Sequence, residues 1–321
     1  MKTVRIGTRK SALALEQARL VAEGVRALRP GFAYELVGYT TSGDRIQDRP
    51  LDEVGGKGLF VRELDRAPLD GEVDIAVHSM KDLPSDLTDA VRIAALSRRE
   101  DPADVLVLPR DEAGRGLPGM PGAGDLGGLA AWMEERGLAV GCSSARRRVQ
   151  LLRLEPSLPV RPVRGNVNTR LEKLDRGEYG ALVLAAAGLK RLGLEGRVDR
   201  AFTCYEMVPS AGQGVMAVTA RADRDLPWLE GYGLQGLDLQ CCLAERAFVC
   251  ALGGNCATPC GAIAVREGGR VRFRGFLAAP DGSVFQECDE ALDIDAGAVE
   301  QVVSWAEGLA WRLRDQVARA L

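Results

Sequence analysis

A single histidine, His78, stands in the whole chain, and aromatic residues make up only 5% of it. Histidine-based metal centres are therefore disfavoured, and little surface is available for stacking nucleic-acid bases. Net charge is missing too: 42 Lys and Arg stand against 45 Asp and Glu. No general basic field draws the protein toward nucleic acid, so any cationic site is local. The longest apolar run, Ala181 to Ala187, falls far short of the ~18 residues that cross a bilayer, and no membrane partner is expected. Arg9 and Lys10 interrupt the N-terminal apolar run before it reaches signal-peptide length, so no export signal is read and a cytoplasmic protein is expected. No Cys-x-x-Cys pair occurs, although five of the eight cysteines fall between Cys241 and Cys260. That spacing disfavours zinc, and no metal is expected; the cysteines read as reduced thiols, one of which could carry chemistry.

What the chain does contain is length and α/β punctuation. Its 321 residues suffice for two or three domains. Five times a short apolar run ends in a small polar or cationic turn and gives way to helical spacing. The first is Val4 to Gly7, followed by Thr8-Arg9-Lys10-Ser11 and an amphipathic helix carrying Leu13, Ala14, Ala18, Val21, Val25 and Leu28, with Ser11 as its cap. The others are Val73 to Val77 before His78-Ser79-Met80-Lys81-Asp82; Leu138 to Val140 before Gly141-Cys142-Ser143-Ser144 and Ala145-Arg146-Arg147-Arg148; Val160 to Val163 before Arg164-Gly165-Asn166; and Ala181 to Ala186 before Gly188-Leu189-Lys190-Arg191. Arg110 to Gly128 reads as loop, and Val215 to Arg221 as a strand that could return to the first domain. From Leu237 the pattern changes to a helix (Asp238 to Leu252), a glycine-rich loop, three strands (Ala262 to Arg266, Arg270 to Ala278, Val284 to Leu292) and a long terminal helix, a separate α+β domain.

Open parallel sheets bind ligands beyond the carboxyl ends of their strands, where helix N-termini offer free amides to anions. A single arginine there is most often a solvated turn residue, but five such ends carrying Arg, Lys and Ser point to a polyanionic small ligand. Gly55-Gly56-Lys57-Gly58 lacks the earlier glycine and the Ser or Thr of a phosphate loop. His78, Ser79 and Asp82 hold the ingredients of a hydrolase triad without the surrounding nucleophile elbow, and neighbours on a strand point apart. Asp82 reads either as a cap or ion-pair partner, or as a carboxylate that stabilises a cation formed in the cleft. Cys256 reads either as a buried inert thiol or, in Gly253-Gly254-Asn255-Cys256, as a thiol turned toward a neighbouring domain.

The residues Val54-Gly55-Gly56-Lys57-Gly58-Leu59-Phe60, Asp74-Ile75-Ala76-Val77-His78-Ser79-Met80-Lys81-Asp82-Leu83-Pro84, Arg164-Gly165-Asn166-Val167-Asn168-Thr169-Arg170 and Ala187-Gly188-Leu189-Lys190-Arg191-Leu192-Gly193-Leu194 resemble signatures of the porphobilinogen deaminase (hydroxymethylbilane synthase) family, in order and over most of the chain. The resemblance implies an α/β fold with two domains like the lobes of a type II periplasmic binding protein, residues 1–97 with 215–232 and residues 103–208, and a C-terminal α+β domain over 237–321. It implies a dipyrromethane cofactor made from two substrate molecules and attached to Cys256. Four further porphobilinogen units are added, each losing ammonia to give an electrophilic methylenepyrrolenine, and water releases 1-hydroxymethylbilane for tetrapyrrole synthesis. Asp82 is implied as the catalytic carboxylate. Lys81, Ser144, Arg146, Arg147 and Arg170 are implied to hold cofactor carboxylates, and Arg9, Ser11, Arg164, Arg170 and Arg191 to meet substrate and the elongating chain. Arginine suits this work because its planar fork pairs bidentately with carboxylates. A monomer acting on porphobilinogen and water is expected.

Three positions depart from the family pattern. Leu252-Gly253-Gly254-Asn255-Cys256 stands where Leu-Glu-Gly-Gly-Cys is common, Cys142 where Thr is usual, and Glu53 where Lys is frequent. Pro68 also falls within Gly58 to Asp70, a segment expected to be helical, and should end or kink it early. Two readings of other classes stand beside the enzyme: a non-catalytic anion receptor, which would normally be exported and needs no thiol, and a metal-dependent regulator built on the cysteine cluster.

Overall fold

The computed structural model describes residues 3–40, 62–84, 87–254, 258–293 and 299–321. Cys256, Glu53 and the motif at 54–60 lie outside them.

Two five-stranded sheets share one plan. In the first, strands β1 (Val4–Arg9), β2 (Tyr34–Tyr39), β3 (Ile75–Ser79), β4 (Val91–Leu96) and β10 (Met216–Arg221) lie in the order β2-β1-β3-β10-β4. In the second, β5 (Asp104–Val107), β6 (Val140–Gly141), β7 (Val160–Arg161), β8 (Ala181–Ala185) and β9 (Arg200–Ala201) lie in the order β7-β6-β8-β5-β9. Each sheet pairs three strands in parallel, then sets an antiparallel strand between the third and an outer one. That antiparallel strand is always the first the chain enters after crossing from the other sheet: β5 after β4, and β10 after β9. The whole second sheet is therefore inserted between β4 and β10, giving two α/β lobes on the type II periplasmic-binding-protein plan joined by two crossovers. The strand expected over 215–221 does return to the first sheet, one residue shorter.

Helices cover both faces, so the central strands are buried without alternation: Ile75, Ala76 and Val77 in β3, Ala181 to Leu184 in β8. Helix α1 (Ala12–Leu28) buries Ala18, Val21, Ala22 and Val25, one stripe at helical spacing. Helix α2 (Arg62–Leu69) runs through Pro68 to within one residue of Asp70, so the early end expected at Pro68 is not seen; the Asp70 N–H still donates to the Arg66 carbonyl at 2.9 Å, and proline costs only its own donor in the last turn. The loop expected to reach Gly128 stops at Asp125: helix α3 (Leu126–Glu134) starts there because the Asp125 carboxylate accepts the Gly128 N–H at 2.8 Å. Helices α4 (Ala145–Leu154), α5 (Val167–Asp175) and α6 (Ala186–Arg191) complete the second lobe.

The C-terminal unit sets helices α7 (Gly236–Ala251) and α8 (Val299–Ala320) against an antiparallel sheet of β11 (Cys260–Glu267), β12 (Arg270–Ala278) and β13 (Phe285–Asp293). Phe248 and Phe273 meet at 5.1 Å between ring centroids in its core. Gly275 makes that possible, because a Cβ there would sit 2.7 Å from the Phe248 ring. The unit packs on both lobes: Cys242 joins Met80 and Leu83 of the first, and Ile263 and Phe276 join Val149 and Val208 of the second.

Candidate functional site

The carboxyl ends of β1 and β3 face those of β6, β7 and β8, with helix N-termini following each turn. Capping fixes these turns: Ser11 Oγ accepts from Ala14 N–H at 3.4 Å, Ser144 Oγ from Arg147 N–H at 3.4 Å, and Asn166 Oδ1 from Thr169 N–H at 3.0 Å. Between the facing ends lies an open cavity of about 110 Å³. Lys81, Arg147, Arg170 and Arg191 line it together with Gln17 and Ser79, whose side chains bond each other at 3.0 Å. Leu13 of α1 meets Gly188 of α6 across the cleft, so lining residues come from both lobes.

Charge in this cleft is unbalanced. Asp104, fully buried at the start of β5, takes Arg146 Nη1 at 2.6 Å and Arg147 Nη2 at 2.7 Å. Burial works to raise its pKa, but the two guanidiniums outweigh that and hold Asp104 well below the ordinary carboxylate range. Arg146 also donates to the Val208 carbonyl at 2.7 Å and Arg147 to the Val183 carbonyl at 2.9 Å. With Asp104 engaged by Arg146 and Arg147, no buried carboxylate among the described residues pairs directly with Lys81 or Arg170. Burial and then repulsion by Arg147 push Lys81 down to about 8, and the same two causes push Arg170 down to about 10. Burial also lowers Arg191, which donates to the Gly214 carbonyl.

Losing Asp104 would expose this arrangement. Asp104→Asn should destabilise the protein by about 3–5 kcal/mol near pH 7, because two buried guanidiniums lose their counter-ion. Since the folded-state pKa is depressed, the carboxylate's stabilisation is fully present above about pH 4 and fades as pH falls below it. Urea unfolding of parent and variant should therefore show a gap that narrows below about pH 4; a gap independent of pH would assign the loss to packing.

Asp82 ends the 3₁₀ turn Met80–Asp82, directly after β3. It is exposed and outside the cavity lining, yet its carboxylate acts favourably on both Lys81 and Arg170. Arg146 is absent from the lining, its guanidinium closed into the Asp104 pair, and Ser144 and Ser11 serve as caps. Arg164 is also outside the lining; its carbonyl accepts from Lys173 at 3.3 Å. Arg9, the last residue of β1, adds its charge to the effect of burial, and together they push His78 down to about 3. A neutral His78 bonded to Thr219 Oγ1 at 3.0 Å, with Ser79 turned to Gln17, is not a hydrolase triad. Cys142, buried, donates weakly to the Ser144 carbonyl.

The motifs did not reveal four residues. Gln17 lines the cleft, and Asp104 anchors its arginines. Gln213 and Glu245 bind the crossovers. Glu245 of α7, fully buried, accepts from Arg99 Nη2 at 2.7 Å, Gly212 N–H at 2.7 Å and Ala264 N–H at 2.8 Å. It ties both crossovers to the C-terminal sheet.

Sequence profiles place this arrangement among known proteins. The profile described as porphobilinogen deaminase, dipyromethane cofactor binding domain, matches residues 4–226, and that of the porphobilinogen deaminase C-terminal domain matches residues 239–310. Porphobilinogen deaminase of Acetivibrio thermocellus is 45% identical over 284 residues, covering 88% of this chain and 90% of the relative. The Chromobacterium violaceum protein of the same name is 44% identical over 286 residues, covering 88% and 87%. Among solved structures, a probable amino-acid transporter extracellular-binding protein of Bacillus subtilis superposes with a TM-score of 0.39 at 10% identity, covering 71% of this chain and 88% of the other.

Proposed function

The chain belongs to the porphobilinogen deaminase family, transferases that deaminate and join porphobilinogen in tetrapyrrole synthesis, and on that premise we propose how its own residues divide the work. The observation that carries the proposal is the convergence of Lys81, Arg147, Arg170 and Arg191 on one interlobe cavity, where among the described residues only Arg147 is ion-paired with a carboxylate. Each pyrrole of the substrate and cofactor brings an acetate and a propionate, so a dipyrromethane suits a cavity lined by four cations. Six of the seven described cysteines have pKa values raised by burial, which keeps them as unreactive thiols and supports Cys256 as the point of attachment.

Lys81, Arg147 and Arg170 hold the cofactor's carboxylates, with Arg146 and Ser144 acting behind them through the Asp104 pair and the helix cap. Arg191 and Arg170 meet incoming porphobilinogen, with Arg9, Ser11 and Arg164 along the path of the chain. A bound dipyrromethane supplies a nucleophilic pyrrole α-carbon to which new units are joined. Asp82 faces the charge that develops when porphobilinogen loses ammonia, and its carboxylate accepts the pyrrole N–H. Water ends the sequence by releasing the product. Residues 1–97 with 215–232, 103–208 and 237–321 form the three domains in this reading, supported by the three separate sheets. We place the enzyme in the cytoplasm as a monomer.

Different cations should limit different stages. Arg147→Leu should impair cofactor loading, and it should also weaken the fold by leaving Asp104 half paired. Arg191→Leu or Arg164→Leu should load normally and then stall. Intact mass after limited porphobilinogen addition would show this as unequal populations of one to four added pyrrole units. Identical ladders in all three variants, with only a uniform change in apparent affinity, would leave the cleft's charge acting as a diffuse field.

A further inference from the structure

Between the two lobes one side chain touches both halves of the cationic site without lining it. Gln213 is fully buried in the second crossover. Its Oε1 accepts from Lys81 Nζ at 3.1 Å, on the first lobe. Its Nε2 donates to Asp104 Oδ1 at 3.0 Å, on the second, and to the Pro102 carbonyl at 2.7 Å in the first crossover. The amide has one workable orientation, since flipping it would set its NH2 against an ammonium and its oxygen against two acceptors.

The backbone leaves it no freedom. Gln213 sits between Gly212 (φ +70) and Gly214 (φ +88). A Cβ at the first would come within 2.3 Å of Met80 Cγ, and at the second within 2.1 Å of the Glu100 carbonyl oxygen. These contacts require glycine for close approach as well as for conformation. The Gln213 carbonyl further accepts from Arg99 Nη1 at 2.9 Å.

We infer that Gln213 is a positioning residue for the reaction, which fixes the Lys81 ammonium at the crossover so that its remaining protons face the cavity for a carboxylate. This rests on the reading of Lys81 as a carboxylate ligand. Lys81 has three donors, and among the described residues Gln213 supplies its hydrogen-bond acceptor. The other charges that bear on it are Arg146 and Arg147 from α4, Asp104 from β5 and Asp82 on its own turn, with Arg170 and Arg191 on the facing wall. A neutral amide suits this position: it favours the charged lysine and does not set a second carboxylate beside Asp104.

The test measures the titration of Lys81 directly, in the enzyme as purified. Trace labelling with acetic anhydride across pH, followed by mass spectrometry of the Lys81 peptide, gives its midpoint independently of activity. Gln213→Met should lower that midpoint by about one pH unit, because the acceptor that favours the charged form is gone. The alkaline limb of kcat/KM should move down with it. Gln213→Glu, whose carboxyl can still accept from Lys81, should return both to the parent position or above. A fall in Tm with an unmoved Lys81 midpoint would make Gln213 a structural strut and overturn the inference. If Gln213→Met does not fold, a midpoint below the parent's in Gln213→Glu does the same. If the midpoint moves while the kcat/KM limb stays, the premise about Lys81 fails and the role in the reaction falls with it, although the bond itself stands.

Discussion

Asp82→Asn should cut porphobilinogen turnover by ~10² or more while leaving the protein folded and its cofactor mass in place, the scale expected when one preorganised charge is removed. The turn that carries Asp82 is held from beneath, not by its carboxylate. Met80 N–H donates to the Val215 carbonyl at 2.9 Å, Leu83 N–H to the Met80 carbonyl at 3.2 Å, and both side chains are buried against α7. Among the described residues the Asp82 carboxylate makes no hydrogen bond or ion pair with protein, so its loss should change stability by less than about 0.5 kcal/mol. What it does have is a favourable charge interaction with Lys81 and Arg170, both of which line the cavity. The amide keeps the shape and loses the charge, so the effect should fall on kcat more than on KM. Steady-state kinetics with a thermal melt on the same preparation would check it. Near-normal turnover, or a loss of activity that follows Tm, would reduce Asp82 to a turn residue.

The sequence shows the strand-to-helix stations because each is written locally: an apolar run, a small polar cap, then helical spacing. Ser11, Ser144 and Asn166 sit at their helix starts with accepted amides. Other strands leave no such trace. β4 has four half-buried residues in six, and β5 opens on a charged residue, Asp104, within a stretch rich in surface carboxylates. The site was half legible for the same reason. Arginines at strand ends announce an anion, but nothing near Asp104 or Gln213 in sequence shows that they meet Arg146, Arg147 and Lys81, between 42 and 132 residues away. One signal was available. Arg146 and Arg147 lie on the face of α4 that also buries Val149, Gln150 and Leu151, and two buried guanidiniums require a buried carboxylate somewhere.

Cys256→Ser should give folded protein with no covalently bound pyrrole and no turnover. The change is one atom in size, but an alcohol is a much weaker nucleophile than a thiol near neutral pH and would not capture an electrophilic pyrrole. Rescue would have to come from Cys260, the next thiol along the chain, and its surroundings argue against it. Cys260 opens β11, paired with Leu277, and is buried in the C-terminal core. Burial pushes its thiol up to about 12, so almost none is thiolate at neutral pH. Gly254 lies against it so closely that a Cβ there would come within 3.1 Å of its sulfur, which leaves no room for a pyrrole. Cys260→Ser should therefore keep both the cofactor mass and most of the activity. Intact-protein mass of parent, Cys256→Ser and Cys260→Ser, with porphobilinogen consumption measured on each, separates the possibilities. A two-pyrrole increment in the parent and Cys260→Ser, absent from Cys256→Ser, is the expected pattern. An increment that survives Cys256→Ser, or disappears with Cys260→Ser alone, would move the attachment off the glycine-rich loop, and the cationic cleft would have to be reached from a buried strand.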